Sequence, residues 1–146
     1  MQDTSSIGVS CRLIASQTYP AGISFTAFPE DTDIGVSGDL EIAGNASGVN
    51  GDLITWSTVA GIEAQVPLIP NTEEESLMDI LFQANRASKN RAPKKDVITL
   101  VITNPVTGVA KTYIKGRIKR GSVGYTYGGD GRIKTKNYGF VFEDAI

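Results

Sequence analysis

The sequence contains no histidine and a single cysteine. Without histidine the Ser-His-Asp triad and its Cys-His variants are excluded, and with one thiol the usual Cys/His zinc sites go too. Cys11 has no partner for an internal disulfide, and with no histidine and no second cysteine in the chain nothing marks it as a nucleophile or metal ligand, so it reads as a buried thiol in a chain that folds in a reducing compartment. Long apolar runs are also missing, and none approaches the ~20 residues that span a bilayer. Residues 1–8 are polar and the apolar stretch 7–15 is broken by Arg12, so neither a signal peptide nor a membrane anchor is expected. One tryptophan, Trp56, stands among apolar neighbours, and alternation assigns it to the core.

What is present is charge, unevenly placed. Residues 1–85 hold 12 acids against the single base Arg12, net −11, while residues 86–146 hold 13 bases against four acids, net +9; together they give the net −2 of the whole chain. Such a split fits a basic half that binds nucleic acid, or faces that complement one another within or between subunits.

At 146 residues the chain is expected to be one domain spanning 1–146, long enough to bury a core without staples. Its 16 glycines fall in clusters separated by short runs rich in Val, Ile, Thr, Tyr and Phe, the pattern of an antiparallel β domain. Strands are predicted over residues 8–15, 22–28, 52–57, 62–68, 97–102, 110–119 and 132–143. The stretch "TNPVTG" supplies a hairpin turn after the fifth of these. Ile98, Leu100 and Ile102 share one face of the fifth strand and Val97, Thr99 and Val101 the other, both apolar enough for a strand central to the fold; Tyr138, Phe140 and Phe142 share a face that is assigned to the core.

One segment breaks the β pattern. In "NTEEESLMDILFQANRAS", Thr72 as N-cap and Glu75 three residues on form a capping box, and three glutamates sit where the helix dipole favours anions. A helix over about residues 72–87 follows, with Leu77, Ile80, Leu81 and Ala84 on its inner face and a proline after its basic end.

The search for chemistry yields surfaces instead of a catalytic centre, and no enzyme, metal or cofactor is expected. Asp31, Asp33, Asp39 and Glu41 gather carboxylates in "DTDIGVSGDLE", but a calcium loop needs glycine where Val36 stands. The glycines at 124–131 precede a strand and lack the Gly-Lys-Ser/Thr of a phosphate cradle. Asn45 opens an Asn-Ala-Ser triplet, which without a secretory signal carries no weight. In the 110–119 strand, Lys111, Tyr113, Lys115, Arg117 and Lys119 alternate with Ile114 and Ile118. That basic stripe is a solvated face, a track for a nucleic-acid backbone, or a face that meets the acids of a neighbouring subunit.

The ending "GGDGRIKTKNYGFVFEDAI", with "GISFTAFPEDTDIGVSGDLEIAGNASGVNGDLITWS" before a central helix, resembles tail tube proteins of contractile-tailed bacteriophages, which are similar in turn to the inner tubes of type VI secretion systems and bacteriocins. The resemblance runs from about residue 22 to 146 and rests on element order and loop chemistry. It implies a mainly β, antiparallel sandwich or barrel-like tail tube fold with one flanking helix. It also implies a structural virion subunit, made in the host bacterial cytoplasm, that self-assembles as homohexameric rings stacked into a tube. By the same resemblance the partners are further copies, tail sheath, tape-measure protein and baseplate proteins, with DNA passing through during ejection without specific binding. The candidate inter-subunit contacts are then Lys111, Lys115, Arg117 and Lys119 with Asp31, Asp33, Asp39 and Glu41. Other ring-forming tail proteins of the same fold, a terminator or a baseplate hub component, stand as the alternative, and a receptor- or sugar-binding β-sandwich as a third.

Overall fold

The structure is a computed structural model that describes residues 5–30, 32–36 and 38–146. Its main element is a seven-stranded antiparallel sheet in the order β2-β1-β7-β8-β9-β6-β3. The strands are β1 (Ser10–Ala15), β2 (Tyr19–Phe25), β3 (Gly35–Val36), β6 (Ile62–Leu68), β7 (Ile98–Asn104), β8 (Val109–Arg120) and β9 (Lys136–Ala145). A separate hairpin joins β4 (Ala43–Ser47) to β5 (Leu53–Ser57). The fold is therefore mainly β with one helix, as the residue pattern predicts.

Alternation builds the core. Cys11, Leu13 and Ala15 of β1, Ile98 and Leu100 of β7, and Tyr138, Phe140 and Phe142 of β9 point to one side and are buried together. The sheet curls on that side: the amide of Ile69, just past β6, donates to the carbonyl of Ala27, just past β2, at 3.1 Å. This bond ties the two margins of the sheet at one end and makes the fold barrel-like. The closing strand β9 is no edge, since β8 and β6 pair with it on either side.

Helix α1 (Glu73–Asn85) closes the open side of the curl. Thr72 caps it, its side chain accepting from the amide of Glu75 at 3.2 Å. Only half of the expected capping box forms, because the Glu75 carboxylate turns inward to Lys136 and Tyr125. The buried face is also rotated from the expected one. Glu75, Met78 and Leu81 are buried and Phe82 packs edge-on against Tyr138, while Ile80 is exposed. Burying Met78 and Leu81 is worth about 1.5–3 kcal/mol each.

Three further expectations are corrected. Residues 43–47, which lie outside every predicted strand, form β4. Trp56 lies half exposed on β5 at 50 % accessibility, outside the core. The stripe on β8 is broken by an irregularity in its pairing with β7, between Ile98 and Leu100, which places Gly116 opposite Ile98 and Tyr113 opposite Leu100. The two skipped positions include Lys115, at φ +54. Tyr113 consequently enters the core beside Phe142, whereas Lys115, Arg117 and Lys119 remain on the outer face.

Candidate interaction surfaces

The predicted basic contacts separate once the bulge is in place. Lys111 is exposed at the β7 end of β8, opposite Ile102. Lys115 and Arg117 are exposed on the outer face. Lys119 is engaged within its own chain, ion-paired with Glu63, to which Arg120 also approaches at 3.5 Å. The Lys119 hydrogen bond and charge hold the Glu63 carboxyl below its ordinary range. Lys119 and Glu63 also line a groove of about 460 Å³ with Asp39 and Glu41. Two of the predicted acids therefore lie beside a predicted base in the same subunit. Asp33 is exposed elsewhere, its carbonyl accepting from Gln65 at 2.7 Å; Asp31 lies outside the described residues.

The β4–β5 hairpin is the surface that sequence reasoning missed. Every residue of its two strands except Gly44 is exposed, so it stands clear of the large sheet. Its register sets Gly44 opposite Trp56 and Ala46 opposite Ile54, and Ile42 continues that side through its carbonyl bond from the Thr58 amide. One face is thus Ile42, Ala46, Ile54 and Trp56; the other is mostly small and polar, with Asn45, Ser47, Thr55 and Ser57. A Cβ on Gly44 would overlap the indole ring, so glycine is what lets Trp56 lie flat across the strand. A two-stranded ribbon is at best marginally stable alone in water, and an exposed apolar face of this kind is a candidate for contact with another surface. The large sheet offers less: on β2 the edge is interrupted by Pro20 and by Gly22 at φ +83, and the Arg12 guanidinium occupies the Ala21 carbonyl at 2.7 Å, devices that blunt pairing.

Two buried polar clusters fasten the helix and its flanking segments to the sheet. Lys136, on β9, pairs with Glu75 at 2.8 Å and Asp79 at 3.4 Å, and its ammonium lies 5.3 Å and 5.5 Å from the ring centres of Tyr125 and Tyr138. The Lys136 and Glu75 side chains are only 6 % and 3 % exposed. Burial by itself lowers the Lys136 pKa, yet Glu75, the Tyr138 hydroxyl and Asp79 raise it on balance. The Tyr125 hydroxyl donates to Glu75 at 2.9 Å, which fastens the glycine-rich segment after β8 to the helix. That segment is further ordered by a tight turn in which the Gly128 amide donates to the Arg132 carbonyl at 2.8 Å.

Asp96 is the second. Its carboxylate accepts from the amides of Gln17 (2.7 Å) and Thr18 (3.0 Å), the Thr18 hydroxyl (2.6 Å) and the Asn85 amide (2.8 Å). Burial pushes its pKa up, but these donors more than offset that and leave it lowered. Cys11 is fully buried and its thiol is pushed up to about 12 by desolvation, in keeping with an unreactive core residue. Among the described residues no group of acidic or thiol side chains is placed to hold a metal ion, and no helix is long and apolar enough to cross a membrane.

Comparison with known proteins places this fold among tail components. The profile of a family described as tail fiber protein gp32 matches residues 2–146, and the chain belongs to that family, a structural part of phage-like tails. No curated protein matches the sequence. Among solved structures, the cap that terminates the tube of the anti-feeding prophage matches with a TM-score of 0.56 at 9 % identity, over 100 % of this chain and 91 % of that one. A chain of the six-fold symmetrised anti-feeding prophage baseplate gives 0.58 at 10 %, over 100 % and 95 %. The sheath/tube terminator of an extracellular contractile injection system, PVC, gives 0.52 at 12 %, over 100 % and 96 %. At these identities the likeness is one of fold.

Proposed function

We propose that this member of the tail fiber protein gp32 family is a non-catalytic structural subunit that joins copies of itself in a ring at the end of a tail tube, in the manner of a terminator or cap. The observation that carries the reading is the β4–β5 hairpin. It exposes Ile54, Trp56 and Ile42 at 56 %, 50 % and 70 %, on an element that buries almost nothing in its own chain and gains stability only when another subunit covers it. Whole-chain likeness in fold to a tube-terminating cap and a sheath/tube terminator supports a terminal position over a place within the tube. The lack of histidine and the burial of Cys11 support a role without catalysis.

The partners would be further copies of this chain, with the end of the tube and the sheath around it, in the virion. Negative-stain microscopy of the purified chain tests the reading. Single closed rings that do not lengthen with concentration are the expected result. Long tubes would make it a tube subunit, and particles that remain monomeric with added tube ends would remove the reading altogether.

A further inference from the structure

The segment between α1 and β7 is the most cationic surface left unspent. Ser88 and Arg91 exchange backbone bonds at 3.2 Å and 3.0 Å around Asn90 at φ +64, a tight turn with Lys89 at its tip. The Arg91 guanidinium anchors it by donating to the carbonyls of Gln83, in the last turn of α1, and of Arg86, the residue that caps the helix. Lys94 and Lys95 follow, with the Lys94 amide bonded to the Ala84 carbonyl at 3.1 Å. The side chains of Lys89, Lys94 and Lys95 are exposed and form no ion pair among the described residues. Three ammonium groups are therefore presented on backbone that is already fixed, which lowers the ordering cost of binding.

At the other end of the helix lies the complementary feature. Glu74, in the first turn of α1, accepts from the amides of Thr26 and Ala27 at 2.9 Å and 2.7 Å. This holds the segment that follows β2 against the helix start. There a cleft of about 800 Å³ opens, with Ile7, Phe28 and Ile34 among its apolar residues and Glu30 and Asp33 among its polar ones. Both acids are exposed and neither is in an ion pair among the described residues. A helix of 13 residues spans about 20 Å. The cations and the cleft therefore cannot meet within one chain.

We propose that the cationic turn at residues 88–95 of one copy seats against the acidic cleft lined by Phe28, Glu30, Asp33 and Ile34 of a second copy. The contact is heterologous, since different patches of the two copies meet, and it repeats around a ring that closes. The chain supplies both charges at opposite ends of a rigid element, and residues 86–97, which carry the three lysines, include no aromatic on which a base could stack, which disfavours a nucleic-acid strand as their partner. The inference rests on the self-assembly reading and names one of its interfaces, separate from the hairpin.

The test uses two full-length variants, Lys89→Glu/Lys94→Glu/Lys95→Glu and Glu30→Lys/Asp33→Lys, each checked for folding by circular dichroism. Like charge across a contact costs several kcal/mol, so each variant alone should need roughly a hundredfold higher concentration to assemble. Mixed, one variant carries two acidic ends and the other two basic ends, and sedimentation velocity should show co-assembly at the wild-type concentration in alternating copies. Assembly of the lysine variant at the wild-type concentration, or two folded variants that stay apart when mixed, overturns the proposal. Wild-type rings alongside such a failure leave the assembly reading intact. Wild-type chains that never associate sink that reading, and the charge contact still stands or falls on whether the mixture forms heteromers. Loss of binding to a DNA probe by a lysine variant that assembles normally would reassign the turn to nucleic acid.

Discussion

Gly116 shows how narrowly single side chains define this core. A Cβ there would overlap the Phe142 ring, so Gly116→Ala should destabilise the chain by about 1–3 kcal/mol through overpacking, read as a lower urea midpoint. The Lys136 cluster behaves differently, because its partners are charged. Lys136→Met leaves Glu75 buried and unpaired and should cost about 3–5 kcal/mol, whereas adding Glu75→Gln should recover most of it; equal losses in the single and double variants would show that the pair does not act as a unit. Asp96 sets the acid limit of the fold. Its folded pKa lies below its unfolded value, so its stabilisation is complete above about pH 4 and is lost as pH falls through the depressed value. Asp96→Asn should flatten the fall in stability below about pH 4, with a lower plateau at neutral pH. An unchanged acid limb would contradict that role. None of these clusters was legible in the sequence, since Glu75 and Lys136 are far apart in the chain and an acid in a first helical turn is expected to face water.

At the scale of elements, legibility follows side-chain chemistry. β6 was predicted with its observed bounds, and β7, β8 and β9 were found because β-branched and aromatic residues alternate along them. β4 reads Ala-Gly-Asn-Ala-Ser, residues with little strand preference, and is a strand because β5 pairs with it. The misplaced Trp56 has the same origin: alternation gave its neighbours but not the absence of a second layer above them. The bulge in β8 likewise left no sign in the residue types, and it moved Tyr113 into the core and split the expected stripe. The helix was found by its cap, yet its inner face was assigned by apolar periodicity alone, which chose Ile80 where the fold buries Met78 and Glu75. Since Trp56 is the single tryptophan, its fluorescence reports on the hairpin alone. Emission typical of a solvated indole in the dilute chain should shift to the blue as copies associate. Emission that is the same before and after association would mean the hairpin is not what becomes covered.

For the whole molecule, the mainly β, barrel-like fold with one helix was legible in outline, and tail assembly was reached through resemblance. The surfaces proposed to serve it were not. Of the stripe singled out on β8, Tyr113 enters the core, Lys111, Lys115 and Arg117 are exposed, and Lys119 pairs with Glu63, while the hairpin and the 88–95 turn carry further exposed features. The central claim is that the hairpin's apolar face holds copies together. Sedimentation velocity of the wild-type chain beside Ile54→Ser/Trp56→Ser tests it most directly, because both substitutions lie outside the core and should leave the monomer folded. The account predicts a closed oligomer for the wild type and a folded monomer for the variant at the same concentration. A variant that sediments as the same oligomer as the wild type would contradict it.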